Sequence, residues 1–169
     1  MCRKINKNDK EEMKQIENIW LERSIEVHRF VAPDPEQFWR DRLTQFQQDT
    51  KKAEGYVYET DGLVKGFITW ENRNDHIYIY ELFARESGKG IGPKLLNKVK
   101  ELNNRKPLVL DVYVLNIGSV NWYSKKSFVV DEIRECSDNE LKDLDCEKDQ
   151  HKYKMQRLKF RMVRLTRNF

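Results

Sequence analysis

No apolar run in this 169-residue sequence approaches the roughly 20 residues that cross a bilayer, so no membrane association is expected. No apolar core follows the charges of the opening MCRKINKNDKEEMKQ either, so we expect no secretory signal and take the cytoplasm as the compartment. Cysteine is scarce. Cys2, Cys136 and Cys146 form no metal-ligand spacing and no even disulfide framework, and no metal site is expected. The short loop between Cys136 and Cys146 would allow a bridge, but we read them as reduced surface thiols. Internal repeats and boundary-like linkers are missing as well, so 1–169 reads as one domain. A strong excess of one charge is also lacking. The net charge of +4 permits an anionic ligand and does not argue for nucleic acid.

What is present is a polar but globular composition, 38% hydrophobic and 36% charged, which excludes a disordered chain. Charge is unevenly placed: 131–149 is mainly acidic, whereas 152–169 has no acid at all. We read the basic stretch, about 159–169, as a solvated C-terminal extension lying against the acidic segment. A nucleic-acid role for it would need interleaved aromatics beyond Tyr153, Phe160 and Phe169.

Periodicity organises the rest. Asn8 or Asp9 would cap a helix carrying Met13, Ile16, Ile19, Trp20 and Ile25 at helical spacing. After Pro33 and Pro35, Phe38, Leu43 and Phe46 mark a second helix. Strands follow at about 55–60, 63–71 and 76–83, with Asp61-Gly62 as a hairpin turn. The stretch ARESGKGIGPKLL, 84–96, leads a glycine loop into a helix with Leu95, Leu96 and Val99 facing inward. PLVLDVYV, 107–114, is apolar enough for a strand buried on both faces. A short helix, a strand in VVDEIREC and a last strand in HKYKMQRLKF, 151–160, complete the order ααβββαβαββ.

A glycine-rich first turn aims several unpaired backbone N–H groups at one point, with the positive end of the helix dipole behind them. Gly88, Gly90 and Gly92 thus make either a phosphate cradle or an ordinary strand-to-helix turn. A nucleotide P-loop would need Lys and Ser/Thr after the last glycine, where Pro93-Lys94-Leu95 stands. The dinucleotide fingerprint wants a different spacing from Gly88-x-Gly90-x-Gly92.

GKGIGPKLL combined with LDVYVLNIGSVNWYSKKSF resembles the GNAT superfamily of acyl-CoA-dependent N-acetyltransferases. That family pairs an Arg/Gln-x-x-Gly-x-Gly/Ala loop with a later strand, an Asn, and an aromatic-Tyr pair before Gly-Phe. The likeness runs from about 8 to 158. IWLERSIEVHRFVAPDPEQFW is similar to the first helices of a bacterial branch of small GNAT enzymes. The fold implied is α/β (α+β): a mixed, mostly antiparallel sheet with splayed central strands and helices on both faces.

The resemblance implies acetyl transfer from acetyl-CoA to a primary amine in a ternary complex, the acceptor being a lysine side chain, a peptide N-terminus or a small amine. It assigns the cofactor to Leu82, Phe83 and Ala84, to the loop Ser87, Gly88, Lys89, Gly90, Ile91 and Gly92, and to Asn116 and Tyr123. Trp20, Ser24, His28, Phe30 and Trp39 would line the acceptor side, although His28 also reads as a core or cap histidine. Tyr123 matches the general acid: a phenol near ~10 can protonate a thiolate near ~8.5. Its alternative role is packing under the sheet. Glu81 or Glu71 could serve as the base, on faces that depend on register, and each taken singly reads as a solvent-facing strand residue. A monomer or homodimer is expected.

Two departures stand out. In family register the Arg/Gln position falls on Ser87, so Arg85 satisfies the written motif two residues out of step. Ser127 replaces the Gly before Phe128, so the helix end is expected to adapt without an easy left-handed residue. These changes favour an alternative function, a degenerate acyl-CoA-binding or regulatory module, while Asn116 and Tyr123 argue against it.

Overall fold

A computed structural model describes residues 1–103, 105–135, 153, 154 and 156–165. Strand β1 (Cys2–Lys4) precedes three helices: α1 (Lys10–Val27), α2 (Pro35–Asp41) and α3 (Leu43–Lys52). Three antiparallel strands follow, β2 (Glu54–Thr60), β3 (Leu63–Asn72) and β4 (Ile77–Ala84). Then come α4 (Ile91–Leu102), β5 (Leu108–Tyr113), α5 (Ile117–Lys125), β6 (Val129–Arg134) and β7 (Lys159–Arg164). All seven strands form one sheet in the order β1-β2-β3-β4-β5-β7-β6, parallel only between β4 and β5. This is the mixed, mostly antiparallel sheet expected from the sequence.

Helices cover both faces. Ile91, Leu95, Leu96 and Val99 of α4 pack on Ile68, Trp70, Ile77, Ile79 and Leu110. On the other face Met13, Ile16, Ile19 and Trp20 of α1 join Phe38, Trp39, Phe46 and Phe67. Asp9 is the cap of α1, accepting from the amides of Glu11 and Glu12. The Asp61-Gly62 hairpin has φ of 53° and 74°, as a type I′ turn requires.

Four sequence expectations are corrected. The second helix is two, because the chain turns at Arg42, whose guanidinium lies 3.4 Å over the Phe38 ring and donates to the Phe38 carbonyl. Strand β1, too short to show a period, pairs with β2 through Cys2↔Tyr58 to Lys4↔Tyr56. The last strand starts later than expected: Tyr153 and Lys154 are helical and β7 begins at Lys159. Half of the supposed solvated extension is therefore a strand between β5 and β6, with Met162 fully buried. Most of the acidic segment, with Cys136 and Cys146, lies outside the described residues.

The end of α5 corrects the fourth. Ser127 adopts the left-handed conformation itself, at φ 68°. Phe128 N–H donates to the Tyr123 carbonyl and Ser127 N–H to that of Ser124, which together are the Schellman motif. The Phe128 ring packs on Tyr123 at 5.3 Å, so this cap fixes where Tyr123 stands. A non-glycine left-handed residue costs roughly 1–2 kcal/mol, against a smaller entropic cost for glycine. Ser127→Gly is therefore expected to raise stability by roughly 0.5–1 kcal/mol in urea denaturation. A loss of stability would show that the serine hydroxyl holds the cap.

Candidate active site

Strands β4 and β5 pair only at Ile77↔Leu108 and Tyr78↔Val109, then part. The gap between them is the centre of the site. Its chemistry is set by a bulge: Thr69 pairs with Glu81 but Trp70 with Ile79, leaving Tyr80 as the extra residue of β4. One added residue inverts the alternation. Ile77 and Ile79 point to the α4 face before the bulge, and Leu82 and Ala84 do so after it. Glu81 and Phe83 are thereby turned to the α1 face, where Trp20 Nε1 donates to Glu81 Oε1 at 3.1 Å. The main chain inverts with the side chains. Ile77 N–H bonds the Pro107 carbonyl beside β5, whereas Arg85 N–H bonds Lys65 in β3. By alternation the main-chain groups of Leu82 and Ala84 face the gap and those of Phe83 face β3.

Two cavities meet there. One, of about 290 Å³, has Trp20, Ser24, His28, Trp39, Glu81, Phe83, Tyr113 and Lys159 on its wall. The other, of about 580 Å³, is bounded by Arg23, Glu86, Ser87, Gly88, Gly90, Ile91, Gly92 and Trp122. Leu82, Asn116, Ser119 and Tyr123 belong to both.

The loop-side cavity ends at the start of α4. Gly90 caps that helix at φ 71° with no side-chain hydrogen bond, and Gly88 is also left-handed at φ 78°. The first-turn amides of Ile91 and Gly92 thus have no side-chain acceptor, and Pro93 brings no N–H. That geometry suits an anion. Among the described residues, Arg23 of α1 is the single cationic side chain on this wall, and it is paired with Glu26.

The inner cavity is fixed by Asn116, the N-cap of α5. Its Oδ1 accepts from Ser119 N–H at 3.2 Å, which leaves Nδ2 to face His28 Nε2 at 3.1 Å. An amide N–H only donates, so Nε2 accepts and the neutral imidazole carries its proton on Nδ1. Burial, helped by the charge of Lys159, lowers the His28 pKa to about 4. Burial has the opposite effect on a carboxyl: Glu81 rises to about 7, although Trp20 and Lys159 pull it back. The Tyr123 phenol is raised above its ordinary value by burial and then by the Glu81 charge, so it stays protonated at neutral pH.

Residues 13–128 match the profile of the Acetyltransferase (GNAT) family. The chain belongs to that family. A comparison with curated proteins finds no match. Among solved structures, a PaiA N-acetyltransferase from Thermoplasma acidophilum, in complex with coenzyme A, superposes with a TM-score of 0.70 at 15% identity, covering 97% of both chains. Aminoglycoside 6'-acetyltransferase type Ii reaches 0.71 at 9% identity over 100% of this chain and 99% of that one. An N-acetyltransferase from Staphylococcus aureus Mu50 gives 0.62 at 21%, covering 98% and 97%. These likenesses are of fold.

Within this GNAT fold most sequence-selected residues converge on the two cavities. Trp20, Ser24, His28, Trp39, Glu81 and Phe83 line the inner one, and Ala84, Ser87, Gly88, Gly90, Ile91 and Gly92 the other. Phe30 does not line either; its ring backs His28 and Tyr113 at 6.0 and 5.6 Å. Lys89 is exposed and off both walls, and the half-buried Arg85 side chain lines neither. Glu71 is excluded from the cavities: it is exposed and bonded to Arg73 and Tyr80. Three contributors escaped the sequence. Arg23 reads as one more charge on a helix, and Lys159 as tail. Gly66 of β3 is needed because a Cβ there would meet the Phe83 carbonyl at 2.7 Å. Among the described residues no group of three His, Cys, Asp or Glu is placed to hold a metal, and no helix is long and apolar enough to cross a membrane.

The two shifted groups oppose each other in stability. His28, about 4 when folded against 6.5 unfolded, contributes stability above 6.5 that is lost as pH falls towards 4. Glu81, about 7 against 4.5, contributes below 4.5 and loses that as pH rises through 7. Between 6.5 and 4.5 their slopes cancel. In urea denaturation, acidification over that window should therefore cost Glu81→Gln about 1–3 kcal/mol relative to wild type, and favour His28→Asn by a similar amount. Parallel curves for all three proteins would refute both assignments.

Proposed function

We propose that this acetyltransferase-family chain transfers an acetyl group from acetyl-CoA to a primary amine by direct attack in a ternary complex. The observation that carries the reading is the meeting of two cavities across the β4–β5 gap, an anion cradle on one side and a half-buried carboxylate on the other. Bound acetyl-CoA supplies the activated acetyl group as a thioester.

The protein's part follows from its residues. Amides of Ser87 to Gly92 and the positive end of α4 hold the diphosphate, and Arg23 adds the charge that Arg85 does not. Main-chain groups of Leu82 and Ala84 pair with the pantetheine arm, and the Leu82 N–H steadies the oxyanion. Glu81, poised near neutrality, takes the ammonium proton. Tyr123 gives its proton to the departing thiolate, and Asn116 holds the junction rigid between the α5 cap and His28. A second reading, coenzyme A binding without turnover, is favoured by one observation: Glu86 lines the anion side and Arg85 does not.

Three expectations test this. Thiol release from acetyl-CoA with an amine panel should fall about 100-fold or more in Tyr123→Phe. Turnover should rise with pH through about 7 in the wild type, and that limb should vanish in Glu81→Gln. Calorimetry should give Arg23→Gln about tenfold weaker coenzyme A binding, roughly one lost charge-assisted hydrogen bond, with Arg85→Gln unchanged. Coenzyme A binding without thiol release from any amine would favour the second reading; no binding would remove both.

A further inference from the structure

Resting on the transfer reading above, the inner cavity also describes its acceptor, through the hydrogen bonds its wall leaves unmade. Four buried side-chain polar atoms among the described residues have no hydrogen-bond partner, and three of them belong to this one wall: Ser24 Oγ, His28 Nδ1 and Trp39 Nε1. Buried polar atoms are paired in the great majority of cases, so three together point to a group supplied from outside. Ser24 is 1% exposed and Trp39 8%.

The three atoms share a character. An indole N–H can only donate. His28 must donate from Nδ1, because Nε2 is occupied as an acceptor by the Asn116 amide. A serine hydroxyl donates or accepts. They are also neighbours: Ser24 and His28 are one helical turn apart, with the His28 amide on the Ser24 carbonyl, and the His28 and Trp39 rings are 5.4 Å apart. Lys159, on the same wall, places a positive charge that His28 feels. Against these donors the wall offers few open acceptors. Asp111 already receives Tyr78, Arg134 and Arg161, and one oxygen of Glu81 receives Trp20.

A substrate with donors alone would meet a wall of donors. A polyamine or a simple alkylamine could satisfy Glu81 and the Ser24 hydroxyl, and would leave the His28 and Trp39 donors unpaired. A molecule with an amine at one end and an oxygen-rich anion at the other satisfies both, and about 290 Å³ suits one of amino-acid size. We propose that the acceptor is a small amine that also carries a carboxylate, seated with its amine towards Glu81 and its carboxylate towards Ser24, His28 and Trp39. The three atoms are sealed from solvent, so the aromatic wall shifts as the carboxylate docks. Pairing donors that otherwise go unpaired favours that shift. The reaction is the ordinary transfer: the amine forms the new N–C bond, the C–S bond breaks, Glu81 takes one proton and the thiolate receives another.

The test uses the full chain with acetyl-CoA and a panel of the protein amino acids, each beside its amide and its decarboxylated amine, with spermidine included. Thiol release gives kcat/KM, and tryptophan fluorescence with coenzyme A bound reports docking without turnover. For the best substrate, the amino acid should exceed its decarboxylated amine and spermidine by at least tenfold, and quench tryptophan fluorescence where the amine does not. Ser24→Ala and Trp39→Phe should each shrink that preference at least threefold, mainly through KM, in protein whose circular dichroism is unchanged. Equal rates with and without the carboxylate, or a preference for spermidine, overturn the inference and leave acetyl transfer standing. A preference untouched by Ser24→Ala and by Trp39→Phe overturns the assigned seat. Thiol release with no amine at all, despite coenzyme A binding, removes the transfer reading and the inference with it.

Discussion

The site depends on one extra residue in one strand. A bulge at Tyr80 inverts the facing of everything after it in β4, so that the strand leaves the α4 core through Ile77 and Ile79 and returns to it through Leu82 and Ala84. Without it, strict alternation would bury Glu81 among the leucines of α4 and turn Leu82 towards α1. With it, a carboxylate reaches Trp20, and main-chain groups that would face β3 face a gap instead. The gap itself is the other half of the constraint. Two parallel pairs hold β4 to β5, and the unpaired lengths beyond them are open to a ligand that pairs as a strand would.

Around that gap the polar groups set one another. The N-cap role of Asn116 fixes which end of its amide meets His28, and that fixes which ring nitrogen carries a proton. Burial then sets the protonation states: it keeps His28 neutral, brings the Glu81 carboxyl near neutrality and holds Tyr123 protonated. These protonation states therefore arise from where α1, β4 and α5 converge. Tyr123 is held at that point by the Schellman cap that Ser127 closes, a serine doing what glycine does with less strain.

Much of this was legible in the residues. Asp9, the Asp61-Gly62 turn, the apolar stripe of α4 and the glycine loop are local signals, and each sits where local chemistry puts it. The order of elements around the loop carried the family resemblance. Trp20, Ser24 and His28 line one cavity because they share one face of α1, so any wall built on that face includes them. Failures were of two kinds. Arg42 breaks a continuous helical pattern because its side chain folds back on Phe38, which no periodicity reports. Residues 159–164 were read by their charge, yet β7 alternates Phe160 and Met162 into the core while Lys159 lines the cavity and Arg161 pairs with Asp111.

By itself, the sequence determined the helix caps, the turns, the glycine loop and the identity of the polar groups around the gap, because these follow from chemistry within a few residues of each other. Tertiary structure decided the rest. It put Glu81 on the cavity wall and Glu71 outside it, because one unpaired residue in a ladder sets which face a side chain takes. It put Arg23 on the loop-side wall and left Arg85 off it, because proximity to a loop in space is not proximity in sequence. It also left Ser24 Oγ, His28 Nδ1 and Trp39 Nε1 without hydrogen-bond partners on a common wall, since an unmade hydrogen bond exists only once every neighbour has been placed.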